Sequence, residues 1–134
     1  MYKSLEKAFI DSLEDDFAIS LNTEYVEARI VFGIKIIRDR NSKDVEIYNT
    51  TKGGDYYEEI SSKEYKIFIE KGWRYGVYVL SLSNYRRKLD AIDKTIQSYI
   101  IQGSTKNALI QAQERRTKIM NRYSKISNKL NLLN

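Results

Sequence analysis

The chain contains no cysteine, no histidine and no proline, and it has six glycines and a single tryptophan. Each absence excludes something. Without cysteine or histidine there can be no thiolate nucleophile, disulfide framework, zinc finger, haem ligation, Ser-His-Asp triad or imidazole base. Only carboxylate, Lys, Tyr, Ser and Thr chemistry remains. The lack of cysteine fits a reducing compartment, and the lack of proline leaves long helices free of kinks. Long apolar runs are missing too. Stretches such as residues 77–80 fall far short of the roughly 20 residues that cross a bilayer. Glu6, Asp11, Glu14, Asp15 and Asp16 interrupt the first 20 residues, whereas a secretory leader needs a positive start and an unbroken apolar run. The expectation is a protein without a membrane span, located in the cytoplasm, or in a host cell or virion if phage-encoded.

What is present suits one domain spanning residues 1–134, long enough to bury a core without a staple or a metal. Ile, Lys, Asn and Tyr make up 51 of the 134 residues, the bias of AT-rich codons, as in a low-GC bacterium, its phage or a plasmid. Apolar Leu5, Ala8, Phe9, Leu13, Phe17 and Ala18 recur at helical spacing, so residues 2–19 read as an amphipathic helix. Val26, Ala28, Ile30, Phe32, Ile34 and Ile36 then alternate with Glu27, Arg29, Val31, Gly33 and Lys35, the period of one long strand. Turn residues Asp39, Asn41, Ser42 and Asp44 come next, and Val45, Ile47 and Tyr48 resume, giving a hairpin with a long loop over residues 25–50. Gly53 and Gly54 break that run, ahead of a short strand at residues 56–60.

Ser61 with Glu64 forms a capping box that opens a helix, and Gly72 stops it. Residues 74–82 carry strand-like and helix-like signals together, and continuity with the helical seam from Leu82 onward favours helix. Leu82, Tyr85, Leu89, Ile92, Ile96 and Tyr99 make that seam, at alternating spacings of three and four. Beyond Gln102, Gly103 and Ser104, a second seam runs through Leu109, Ala112, Arg116, Ile119, Tyr123, Ile126, Leu130 and Leu133. Two matched seams joined by a tight loop predict an antiparallel helical hairpin with arms about 30–40 Å long. The fold class is therefore α+β, an N-terminal helix, a β-hairpin or small antiparallel sheet, and a long C-terminal helical hairpin. A turn centred on residues 102–104 sets Arg116 opposite Asp90, an ion pair that would fix the hairpin register.

Charge is unevenly placed. Residues 1–60 hold 8 basic and 13 acidic side chains, net −5, and residues 61–134 hold 15 and 5, net +10. Arg115, Lys118, Arg122, Lys125 and Lys129 fall within a stripe about 80° wide on one helix. Such a stripe covers seam edges with long stems, docks on an acidic protein surface such as a neighbouring copy, or meets nucleic-acid phosphates. No helix-turn-helix, zinc finger or RNP-type motif accompanies it. Trp73, Tyr75, Tyr78 and Tyr85 either join helix to sheet in a core or, Trp73 and Tyr75 foremost, stack on bases or anchor a protein partner. The acidic run Glu14, Asp15, Asp16 and the pair Glu58, Glu59 lack the loop of a carboxylate metal site. Thr50, Thr51 and Lys52 precede Gly53 and Gly54, the reverse of a phosphate loop. Nothing calls for a catalytic residue, a metal or a cofactor.

The stretch Glu64, Tyr65, Phe68, Gly72, Trp73, Gly76, then Tyr85, Arg86, Arg87, Lys88 and Leu89 resembles small proteins encoded by tailed bacteriophages, including crAss-like phages of the Bacteroidota. The resemblance covers about a third of the chain. It implies a phage accessory or virion protein and carries over no functional residue. The expected function is a non-enzymatic structural or protein-interaction module that binds a partner or its own copies through the hairpin. The alternatives are a basic nucleic-acid-binding protein and a phage inhibitor of a host protein.

Overall fold

The computed structural model describes residues 5–50 and 56–133. Its order is α1 (Leu5–Leu13), β1 (Ile19–Ser20), β2 (Val26–Val31), β3 (Ile34–Asp39), β4 (Val45–Thr50), β5 (Tyr57–Glu59), α2 (Ser62–Lys71), α3 (Trp73–Gln102) and α4 (Lys106–Leu133). The class is α+β. No described helix is long and apolar enough to cross a membrane. By their contacts the residues group into two compact units, Met1–Ser81 and Leu82–Asn134. The proposed turn at Gly53 and Gly54 lies outside the described residues.

Helix α1 is shorter than its periodicity implied. Leu5, Ala8 and Phe9 are buried as expected, but Leu13 and Phe17 are largely exposed. The helix ends at Leu13, and the Asp15 carboxylate then takes up non-helical partners, accepting from the Phe17 amide (3.0 Å) and from the Trp73 indole N–H (3.2 Å). Aspartate side chains that bond nearby amides favour turns over helix.

The strands form one antiparallel meander in sequence order. The long strand expected over residues 26–36 is two strands, because Phe32 (φ 51°) and Gly33 (φ 78°) make a two-residue turn, with Val31 paired to Ile34. Hairpin turns of this length take positive φ at both central residues. Because Val31 faces Ile34, the parity of the inward positions changes across the turn. Val31, Ile34, Ile36 and Ile47 lie on the inner face, and all are at most 3 % exposed. Ala28, Ile30 and Ile37 lie on the outer face. An unbroken alternation in sequence therefore concealed a change of face.

At one end of the inner face Arg38 joins three elements. Its Nη2 meets Glu27 Oε2 at 2.7 Å, its Nη1 meets Glu6 Oε1 of α1 at 2.5 Å, and its guanidinium lies 4.3 Å from the Phe9 ring centroid. The hydrogen bond from Arg38, reinforced by the positive charges of Arg38, Arg40 and Lys43, holds the Glu27 carboxyl below its usual value of 4.5 against the opposing effect of burial. A carboxyl lowered by folding contributes stability that is complete above its unfolded value and vanishes as pH falls through its folded one. Urea midpoints measured from about pH 5 down to about pH 3 should therefore fall further for the native protein than for Glu27→Gln. Equal losses would remove Glu27 from the acid-sensitive groups.

The capping box forms as expected. The Ser61 hydroxyl accepts from the Glu64 amide and the Glu64 carboxylate accepts from the Ser61 amide. Tyr65 of α2 accepts the Ile47 amide at 3.0 Å through its hydroxyl, tying the helix to β4. Gly72 stops α2, with its N–H on the Phe68 carbonyl at 3.0 Å. Its φ of 92° and ψ of 175° are an extended, essentially glycine-only conformation. Residues 74–82 are helical, as continuity indicated. The opening turns of α3 bring Trp73, Val77 and Leu80 into one cluster with Leu5, Phe9, the inner-face strands and Phe68. Buried Ser81 donates to the Phe32 carbonyl at 3.1 Å, which holds α3 to the β2–β3 turn.

Candidate interaction surface

The hairpin of the Leu82–Asn134 unit is set by its loop. Gly103 has φ 66°, Ser104 N–H bonds the Tyr99 carbonyl (3.0 Å), and Gly103 N–H bonds the Ile100 carbonyl (3.4 Å). This six-to-one closure is a Schellman-type ending. Thr105 then caps α4, its hydroxyl accepting from the Ala108 amide at 3.3 Å. A Cβ on Gly103 would meet nothing within 4 Å, so its backbone angle alone calls for glycine.

The cap moves the register. Arg116 Nε bonds Asp93 Oδ1 at 2.6 Å rather than reaching Asp90, which corrects the expected pair. Arg86 donates to the Tyr123 hydroxyl at 2.8 Å and lies 5.9 Å from its ring centroid. Residues 86 with 123 and 93 with 116 each total 209, so the fold axis falls between Ser104 and Thr105, not at Gly103. Placing the turn at the glycine overlooked that α4 starts only after its threonine cap. The Arg116–Asp93 pair is over two-fifths exposed on each side. It orients the helices and adds little stability, at most about 1 kcal/mol.

The seams read from the sequence are the packed ones, though incompletely closed. Leu89, Ile92, Ala112 and Ile126 are buried, Ile96, Tyr99, Leu109, Ile119, Tyr123 and Leu130 are half-buried, and Leu133 is exposed. Two helices alone cannot enclose a seam on every side.

The cationic stripe lies beside this seam. Arg115, Lys118, Arg122 and Lys125 are exposed and Lys129 is half-buried. None of the exposed four pairs with a carboxylate among the described residues. From Arg115 to Lys129 the stripe runs about 21 Å along the axis. At 100° per residue, Arg86 and Asp93 leave α3 on one flank of the seam and Lys88 on the other, where Arg115 and Arg122 lie. Lys88 therefore joins this face, while Asp90 and Asp93 fall on the opposite flank. The Leu82–Asn134 unit holds 11 basic and 3 acidic residues, net +8, against 12 and 15, net −3, in Met1–Ser81. Lys88 lies on the neighbouring helix, outside the α4 spacing that defines the stripe, and joins it only once the two helices are set antiparallel.

Of the aromatic residues proposed with the stripe, Trp73 and Tyr75 belong to the Met1–Ser81 unit. Trp73 is 1 % exposed and packs on Phe68 with ring centroids 5.8 Å apart. It is a core residue, not a partner anchor. Tyr75 is half-buried in the same turn, with Lys71 Nζ 5.9 Å from its ring centroid. Burial pushes the Tyr78 phenol above its usual value.

Elsewhere, a shallow cleft of about 370 Å³ lies between α1 and α2, lined by Lys7, Asp11, Phe68, Ile69 and Glu70. Among the described residues no group of three or more acidic side chains could hold a metal ion. No family model, curated protein or solved structure matches the chain.

Proposed function

We propose that the protein is a non-enzymatic interaction module, a virion or accessory protein of a tailed phage, whose helical hairpin docks on an acidic protein surface. The observation that carries this reading is the run of four exposed cations along α4, none of them paired with a carboxylate among the described residues, with Glu114 at the edge of the stripe as the one acidic side chain of that helix. Unpaired cations aligned along a rigid helix attract an acidic partner from a distance and orient it on arrival. The half-buried seam beside them supplies apolar area that a partner can finish covering. In the host cytoplasm or in the particle, the Met1–Ser81 unit is the folded body that carries the hairpin.

A poly-glutamate peptide serves as the probe. Its affinity should fall at least tenfold between about 50 and about 300 mM salt, because exposed charges are screened within a Debye length. The Lys118→Glu, Arg122→Glu, Lys125→Glu variant should bind it at least tenfold more weakly at low salt, read by fluorescence anisotropy. Equal binding by that variant would detach the function from the stripe. Tighter binding of a DNA duplex of about 20 base pairs than of poly-glutamate would instead place the hairpin among nucleic-acid binders.

A further inference from the structure

The outer face of the sheet is apolar on its β1–β2 side, continued by Ile37 of β3, and carries its acidic groups on β3, β4 and β5. By strand register Ile19 lies beside Ile30, and Ala28 beside Ile37, while Leu21 extends the β1 row with its amide on the Ala28 carbonyl at 3.0 Å. Ile19 is 64 % and Leu21 51 % exposed, and Ile30 and Ile37 are half-buried and belong to no part of the core cluster. Beside them on the same face stand Asp39, Glu46 and Glu59, against a single cation among the described strand residues, Lys35. That cation is engaged, with Nζ 4.5 Å from the Tyr57 and 5.5 Å from the Tyr48 ring centroid. The Tyr48 hydroxyl donates to Glu46. An exposed apolar block flanked by charge is the usual form of a protein-binding face.

Resting on the reading of the hairpin given above, we propose that its acidic partner is this outer sheet face on a second copy of the chain, so that copies associate head to tail. Charge selects the pairing. Two hairpins of net +8 repel one another, as do two outer faces with three carboxylates each, whereas hairpin and sheet face attract. Dimensions agree as well. Five strands about 4.8 Å apart make a face about 19 Å wide, which accommodates two helices about 10 Å apart. The Lys and Arg stems and half-buried Ile119 would cover Ile19, Leu21, Ile30 and Ile37, with the cationic heads reaching the carboxylates. An interface between unlike surfaces is heterologous, so each added copy presents a fresh face for the next.

Mixing two complementary variants tests the proposal by sedimentation and light scattering. Lys118→Glu with Arg122→Glu disables the hairpin, and Ile19→Lys with Leu21→Lys disables the sheet face. All four side chains are exposed, so both variants should melt as the native chain does. The native chain should exceed monomer mass at about 50 mM salt and dissociate at about 500 mM. Each variant alone should remain a monomer, and a one-to-one mixture should double in mass and grow no further, because one intact face meets one intact hairpin. A native chain that stays monomeric at low salt overturns the proposal, as does a mixture that stays monomeric or a variant that assembles alone. If the native chain is monomeric while poly-glutamate binding still depends on the stripe, self-association fails and the docking function stands.

Discussion

Trp73→Ala is expected to lose about 3–5 kcal/mol and to unfold the Met1–Ser81 unit in moderate urea. The loss is that of a large aromatic removed from a packed interior, and it is comparable to the whole stability of a small domain. Trp73 occupies the meeting point of α1, α2 and α3. It lies against Phe68, its indole N–H satisfies Asp15, and it shares one cluster with Leu5, Phe9 and Val77. Truncation empties that volume and leaves Asp15 with one partner fewer. Urea unfolding followed by far-ultraviolet circular dichroism measures the loss. Trp73→Phe, which keeps most of the volume, should lose far less. Since this is the only tryptophan, native fluorescence gives an independent reading: emission should be blue-shifted and poorly quenched by acrylamide. Ready quenching together with a stable alanine variant would return Trp73 to the surface as a partner anchor.

Gly76→Ala should destabilise the same unit by about 2 kcal/mol, although alanine is the better helix former by about 1 kcal/mol. A Cβ at position 76 would lie 2.5 Å from two carbons of the Phe68 ring. The ring cannot readily withdraw, being 1 % exposed and packed on Trp73. Overpacking of this kind costs about 1–3 kcal/mol. Adding Phe68→Leu should recover stability relative to the sum of the two single changes, with a coupling of at least about 1 kcal/mol in a double-mutant cycle. Strict additivity would mean that α2 and α3 separate without cost and that the glycine is dispensable.

The helical parts of the chain were largely legible because their signals are local. The Ser61–Glu64 box, the Gly72 stop and the two seams each depend on residues within a turn or two of one another, and each appears where the spacing put it. The sheet was less so. Alternation from Val26 to Ile36 is equally consistent with one long strand and with two strands across a two-residue turn, since Phe32 gives no sign of adopting positive φ. That ambiguity hid the outer face, and with it the significance of Ile19 and Leu21. The charged stripe could be read directly from spacing, but the Arg116–Asp93 pair depends on where the loop folds. The shift from residue 103 to the Ser104–Thr105 junction decides it.

The Phe32–Gly33 turn also bears on which changes of chain length the fold tolerates. With only two residues between paired Val31 and Ile34, duplicating or deleting one of them would turn one strand inside out. Its isoleucines would move from the interior to water, and Ser81 would lose the carbonyl it now holds. Residues 40–44, between β3 and β4, carry no such constraint on the core. Insertions in related sequences should therefore gather there, while the two-residue turn keeps a fixed length even where its side chains change.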